Sequence, residues 1–119
     1  MSSINANNAN AKIPMGPKRF KVIHRQSGRK FNLNAELVIG RSKGQIRFAE
    51  DKGISSRHLR IGLDARGIWI QDLGSTNGTF FQDQRLEPAR KYHLKPGDDI
   101  QLGEQSFYVI EDPSRNEIN

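Results

Sequence analysis

Three short polar segments stand out in the sequence: Gly40-Arg41, Ile54-Ser55-Ser56-Arg57-His58 and Leu73-Gly74-Ser75-Thr76-Asn77-Gly78-Thr79. Each lies at the end of an apolar run that is typical of a β-strand. The segments combine arginine, a planar fork of hydrogen-bond donors, with hydroxyl and amide side chains that add neutral donors. Their glycines let the backbone turn and bring N–H groups close to a ligand. This mixture suits the binding of a dianion better than a catalytic step.

The apolar runs that flank these segments are short and are separated by turn residues. Residues 58–63 alternate regularly, and Arg60 and Gly62 face away from the apolar side chains, which predicts a half-buried strand. Similar runs recur at short intervals between residues 20 and 110, and no segment of helix length has a 3.6-residue period. Many short strands at regular spacing predict an all-β sandwich or barrel.

Length and composition predict one domain with polar tails. The chain has 119 residues, which is the size of a single domain. Residues 1–18 are rich in Asn, Ala and Ser, without an apolar period, and predict a disordered tail. We therefore expect a folded domain over residues 19–112, followed at residues 113–119 by a frayed tail or the start of a linker.

The composition also favours a cytoplasmic protein. Cysteine is absent, which excludes disulfides and thiolate metal sites, and nothing in the sequence argues for secretion. No apolar run approaches the roughly 20 residues of a membrane span, and the N-terminus lacks the apolar region of a signal peptide. The net charge of +6 fits either a generally basic surface that keeps the protein soluble or attraction to a polyanion or a phosphorylated partner. Of the anionic partners, an acidic or phosphorylated protein is favoured over nucleic acid, because Lys and Arg are scattered without a block of like charge.

Four motifs in order resemble the forkhead-associated (FHA) domain family. They are Gly-Arg, Ser-x-Arg-His, Ser-Thr-Asn-Gly-Thr and Leu-x-Pro-Gly-Asp-x-Ile-x-Leu-Gly, and the resemblance runs from about Phe20 to about Glu111. It implies an FHA/SMAD-like sandwich of two twisted β-sheets, with recognition loops gathered at one end. It also implies a non-catalytic module that binds phosphothreonine peptides, as the sensor part of a larger or multi-component regulatory system.

The first two motifs imply the phosphate contacts. By similarity, Arg41 is the phosphate-binding arginine and Ser55 the phosphate-binding serine. Ser56 departs from the pattern, because many members carry Arg, Lys or Asn there, and a serine adds donors without charge. Arg57 matches a basic position that contacts the phosphate or the peptide.

The third motif implies the peptide contacts. Thr76 matches a residue that contacts the phosphate or its threonine, and Asn77 matches the asparagine that holds the peptide backbone. A side-chain amide both donates and accepts, so it can clamp one peptide unit. The residues expected to shape the site structurally are Gly40, His58, Ser75 and Gly78.

The loop before Ser-x-Arg-His often selects the residue three places after phosphothreonine in this family. Here that loop is residues 50–53, where Gly53 has no side chain and Lys52 would favour an acidic residue. The threonines of the chain, Thr76 and Thr79, both belong to the third motif, and the N-terminal tail offers only Ser2 and Ser3. We therefore expect the phosphothreonine to lie in another protein, or in a segment outside this sequence.

Two other readings of the sequence remain open, and catalysis has the least support. The same fold can serve as a phosphate-independent scaffold, and the basic charge admits a nucleic-acid binder, although no platform of aromatic and basic residues is recognisable. His24, His58 and His93 are spread without metal-ligand spacing, and no catalytic constellation is recognisable. We therefore expect no enzyme activity, no cofactor and no metal.

Overall fold

The computed structural model describes residues 19–112, so the tails predicted over residues 1–18 and 113–119 lie outside the described residues. This part of the chain contains eleven strands and no helix, hence none that could cross a membrane. The strands are β1 (Phe20–His24), β2 (Lys30–Leu33), β3 (Leu37–Gly40), β4 (Ile46–Arg47), β5 (Leu59–Asp64), β6 (Gly67–Asp72), β7 (Thr79–Phe81), β8 (Gln84–Arg85), β9 (Lys91–His93), β10 (Asp99–Leu102) and β11 (Gln105–Glu111).

The strands form two sheets that pack face to face, as predicted. One has five strands in the order β9-β6-β5-β3-β4, and the other has six in the order β2-β1-β11-β10-β7-β8. Every pairing is antiparallel except that of β3 with β4. The turn between β5 and β6 is short, since Asp64 pairs with Gly67.

Alternation along the strands decides the core, because successive side chains point to opposite faces of a sheet. On β5 and β6, Ile61 pairs with Ile70, and neither side chain is exposed to solvent. Aliphatic and phenyl side chains from both sheets fill the interior in this way. The most deeply buried of these are Val22, Ile39, Leu59, Ile61, Ile70, Leu102, Phe107 and Val109.

The outer face of β5 is also covered, by the indole of Trp69. The ring lies across Gly62, where a side chain would overlap it. The Arg60 guanidinium carbon and Lys91 Nζ lie 5.2 and 4.2 Å from the ring centre, so Trp69 is only 2% exposed. The prediction of a half-buried strand is correct at Arg60, which is partly exposed, and wrong at Gly62, which is buried.

Strand register brings the end of β3, the start of β5 and the end of β6 together at one end of the five-stranded sheet. Leu59, the first residue of β5, pairs with Ile39 near the end of β3 and with Asp72 at the end of β6. Just beyond, the His58 N–H donates to the Ile39 carbonyl and the Leu73 N–H to the His58 carbonyl, each at 2.9 Å. All three polar segments therefore meet at this end of the sheet.

Candidate functional site

The three polar segments surround a shallow depression of about 320 Å³. Five of the six predicted binding residues line it, and Arg57 is exposed just outside the lining. The lining residues are Arg41, Lys52, Ile54, Ser55, Ser56, Thr76 and Asn77. The fold thus brings together side chains that are up to 36 positions apart in the sequence.

Two larger depressions lie elsewhere but are chemically less suited to an anion. One, of about 540 Å³, lies by the β5–β6 turn and is lined largely by apolar groups such as Leu63 and Leu94. The other, of about 460 Å³, includes Phe80 and the carboxylates of Asp83 and Asp99. Carboxylates repel an anion, so the smaller basic depression is the candidate site.

Arg41 provides a cation with unused donors. Its backbone N–H donates to the Ser55 carbonyl at 2.9 Å, which fixes the start of its side chain beside the second segment. Its guanidinium forms no hydrogen bond or ion pair within residues 19–112 and is partly exposed. An anion could therefore bind all of its fork without displacing a carboxylate from those residues.

Ser55 joins the second and third segments. Its N–H donates to His58 Nδ1 at 3.0 Å, and its Oγ accepts the Thr76 N–H at 3.0 Å. Because Oγ accepts that bond, the hydroxyl hydrogen remains available as a donor to a ligand in the depression.

Ser56, the departure from the family pattern, is tied to the loop after β3. Its Oγ lies 2.8 Å from Ser42 Oγ, and its carbonyl accepts the Lys43 N–H at 3.1 Å. Gly40 permits this close approach, because a Cβ there would overlap the Ser56 carbonyl oxygen. Ser56 therefore supports the wall of the depression, and the neighbouring Arg57 supplies exposed charge.

His58 is fully buried and braces two segments. Its Nδ1 accepts the Ser55 N–H, so the other nitrogen carries the hydrogen of a neutral ring, and Nε2 donates to the Gly78 carbonyl at 2.9 Å. The Asp72 carboxylate is 3.9 Å from Nε2, too far for a hydrogen bond, and a neutral ring forms no ion pair with it. Both ring nitrogens are thus engaged within the protein, so neither is left to bind a ligand.

Asp72 holds the third segment in shape, a role that the sequence analysis missed. Its Oδ2 accepts the N–H groups of Gly74 and Ser75 at 3.0 and 2.9 Å. Its Oδ1 accepts the hydroxyls of Ser75 and Thr79 at 2.6 and 2.7 Å. Ser75 Oγ in turn accepts the Gly78 N–H at 3.0 Å. The signal was an aspartate just before a Gly-Ser turn, where Asp commonly caps the backbone.

The Asp72 carboxylate makes part of the stability depend on pH. Burial raises the pKa of Asp72, but hydrogen bonds from Ser75 and Thr79 outweigh it and lower the pKa below its ordinary value. An aspartate whose pKa is lowered by folding stabilises the protein above its unfolded pKa, about 3.9. That stability is lost as the pH falls through the lower folded pKa.

We therefore expect the destabilisation of Asp72→Asn, relative to the natural chain, to shrink as the pH falls from 7 to 3. Urea unfolding of both proteins, followed by circular dichroism at several pH values, measures the difference. A difference that stays constant over this range would contradict the assignment of this carboxylate.

Arg85 is a second residue that sequence reasoning missed. Its Nη2 donates to the Thr76 carbonyl at 3.1 Å, and its side chain lies against Gly78 under the third segment. Its position follows only from the pairing of β8 with β7. The site thus has four cations without a carboxylate within 4.0 Å in residues 19–112: Arg41 and Lys52 in the lining, Arg57 next to Ser56 in the sequence, and Arg85.

Comparison with known proteins matches residues 37–103 to the family described as FHA domain. The FHA domain-containing protein FhaA of Mycobacterium tuberculosis is 36% identical over 84 residues, 70% of this chain and 15% of FhaA. One solved structure comes from a structural and functional analysis of phosphothreonine-dependent FHA domain interactions. Its sequence is 34% identical to this chain and its TM-score is 0.67, and the match covers 80% of this chain and 98% of that one.

A third match is EmbR of Mycobacterium tuberculosis, solved in complex with a low affinity phosphopeptide. It is 28% identical, with a TM-score of 0.66, and the match covers 77% of this chain and 24% of EmbR. These likenesses confirm the predicted β-sandwich. The curated relatives are much longer: the chain spans 15% of FhaA and 16% and 32% of two others.

Proposed function

The chain belongs to the FHA domain family, as its motifs predicted, and from this premise we propose that it binds phosphothreonine-containing peptides. FHA domains are binding modules, and we assign this one no catalytic activity of its own. The observation that carries the proposal is the Arg41 guanidinium, which lines the depression and has no ion-pair partner within residues 19–112. A phosphate group carries about −1.5 to −2 charges and three acceptor oxygens, which match this cation and its neighbouring donors.

Each polar group of the depression has a role in this proposal. Arg41 binds the phosphate through its fork, and the free hydroxyl hydrogen of Ser55 adds a second donor. Thr76 contacts the phosphate or the threonine, and Arg57 adds charge at the rim. Asn77 clamps the peptide backbone, and Ser56 contributes its backbone and hydroxyl at the wall.

The wider role that we propose is recruitment. Because the relatives are longer than this domain, we infer that it serves as the sensor part of a larger or multi-component regulatory system. It would bring a kinase-phosphorylated partner to that system, and we place its action in the cytoplasm. We expect the phosphothreonine to lie in another protein or in a segment outside this sequence, because the predicted N-terminal tail carries Ser2 and Ser3 but no threonine.

The test is calorimetry with the best sequence from an oriented phosphothreonine peptide library. We expect the phosphothreonine peptide to bind, its unphosphorylated copy to give no measurable heat at the same concentrations, and its phosphoserine copy to bind several-fold more weakly. The threonine methyl is worth about 1–3 kcal/mol at most if it fills an apolar recess.

Two outcomes would redirect the assignment. Equal affinity for the phosphorylated and unphosphorylated peptides would support the phosphate-independent scaffold and remove the present proposal. Binding of a nucleic-acid probe in preference to every peptide would support a polyanion-binding domain instead.

Raising the salt concentration should weaken phosphopeptide binding, because salt screens the attraction between exposed charges. The screening length is about 8 Å at physiological ionic strength and shortens as salt is added.

A further inference from the structure

Asp51 joins the two sheets beside the site. Its Oδ1 accepts the Gly53 N–H at 2.9 Å. Its Oδ2 accepts the Glu104 N–H at 2.8 Å and the Gln105 side-chain amide at 2.9 Å. The loop over residues 50–53 leads into the second polar segment, whereas Glu104 and Gln105 belong to the six-stranded sheet and its adjoining turn. One half-buried carboxylate thus fixes that loop to the opposite sheet.

The same loop orients Asn77. The Gly53 carbonyl accepts a hydrogen bond from Asn77 Nδ2 at 3.2 Å. A carbonyl can only accept, so the amide must present its nitrogen to Gly53, which settles the direction of Asn77 Oδ1 and of the second N–H. Neither of these groups has a partner within residues 19–112, and Asn77 lines the depression.

Beyond Asp51 the chain of contacts continues into the core. Gln105 gives its nitrogen to the carboxylate, so its oxygen faces His24 Nε2, at 2.7 Å. His24 is 7% exposed and packs between Phe48 and Phe107, with ring centres 5.0 and 5.1 Å away. The far end of the series is therefore held rigidly by aromatic packing.

The direction of these hydrogen bonds is settled, because the Gly53 carbonyl and the Asp51 carboxylate can only accept. The side-chain amides of Asn77 and Gln105 must therefore donate to them. Burial raises the pKa of Asp51, but hydrogen bonds from Gln105, Glu104 and Gly53 outweigh it, so the pKa is lowered and the carboxylate is ionised at neutral pH. An ionised carboxylate accepts from all three donors at once. A neutral amide in its place would turn an NH2 group toward at least one of them.

We propose that Asp51 is a positioning residue that fixes the orientation of the Asn77 amide, so that the affinity for the peptide backbone depends on an anchor in the opposite sheet. The inference rests on the proposed function of the site. The phosphate contacts are fixed differently: Arg41 and Thr76 are held by direct bonds to Ser55. Asp51 therefore affects recognition of the peptide more than recognition of the phosphate.

The experiment compares Asp51→Asn with Asp64→Asn in the full chain. Asp64 Oδ1 accepts the N–H of the residue two positions ahead, Arg66, at 2.8 Å, as Asp51 Oδ1 does with Gly53. Asp64 lies at the end of β5, far from the site. The probes are the phosphothreonine peptide of the library screen, measured by calorimetry, and inorganic phosphate, titrated by NMR.

We expect Asp51→Asn to weaken peptide binding by about tenfold and to leave the affinity for inorganic phosphate unchanged. Asp64→Asn should change neither affinity. In an Asn77→Ala background, Asp51→Asn should cost little further affinity, because the clamp that it positions is already absent. Equal losses for peptide and phosphate, or an undiminished loss in that background, would overturn the inference.

NMR keeps the inference testable if Asp51→Asn folds poorly. Gln105→Ala removes one contact to the carboxylate and should shift the side-chain amide signal of Asn77 while leaving the backbone amide of Thr76 in place. An unmoved Asn77 signal would contradict the series of contacts. This signal is read without ligand, so it tests the positioning role even if the unchanged protein binds no phosphopeptide, a result that would instead remove the proposed function.

Discussion

Arg41→Ala is expected to reduce affinity for the phosphothreonine peptide by at least about a hundredfold, because it removes two charge-assisted hydrogen bonds that are each worth about 1.5–3 kcal/mol. The side chain makes no hydrogen bond or ion pair within residues 19–112, so its removal should leave the unfolding temperature nearly unchanged. Calorimetry measures the affinity, and a thermal unfolding curve measures the stability.

The matched control is Arg66→Ala, at the turn between β5 and β6. It removes the same unit of charge from an exposed arginine at the other end of the sheet, so it separates local contacts from net charge. Arg41→Lys should give an intermediate affinity, since it keeps the charge and loses the planar fork. If Arg66→Ala weakened binding as much as Arg41→Ala, the assignment of Arg41 to the phosphate would be wrong.

Asp72→Ala is expected to lower the free energy of unfolding by about 3–5 kcal/mol, the largest effect on stability that we predict. Asp72 is 1% exposed and its carboxylate accepts four hydrogen bonds, so removal of the carboxylate leaves the buried hydroxyl and N–H donors of Ser75 and the hydroxyl of Thr79 unsatisfied. For a domain of this size, the unfolding temperature should fall by roughly 12–40 °C. Differential scanning calorimetry measures the change.

Asp98→Ala provides the comparison for this variant. Asp98 Oδ2 accepts only the Lys95 N–H among the hydrogen bonds within residues 19–112, at 2.7 Å. Its loss should therefore cost far less stability than the loss of Asp72. A similar cost for both substitutions would show that the Asp72 contacts add little beyond capping a turn.

The sequence predicts the fold, and it predicts most of the residues that line the depression, because both follow from local patterns. Alternation of apolar side chains specifies most strands, and the three polar segments carry the residues that line the depression. Gly62 escapes this reasoning, because its burial depends on an indole from the neighbouring strand. Asp72 escapes it too, although its partners lie only two to seven positions ahead in the sequence.

Asp51 and Arg85 escape it for a reason related to that of Gly62. Each looks like an ordinary charged residue of a turn or a short strand, and partners distant in the sequence become neighbours only when the strands pair and the sheets pack. The carboxylate of Asp51 contacts Glu104 and Gln105, which lie 53 and 54 positions further along the sequence. Contacts of this kind depend on tertiary structure, so they cannot be read from spacing.

The packing of Trp69 has a practical consequence for optical experiments. It is the single tryptophan of the chain, and its ring is enclosed on the outer face of the five-stranded sheet by Gly62, Arg60 and Lys91. Its fluorescence will therefore change strongly when that sheet comes apart and exposes the indole to water. Trp69 does not line the depression that contains Arg41 and Asn77. Ligand binding should therefore leave the emission spectrum nearly unchanged, and titrations need a fluorophore on the peptide.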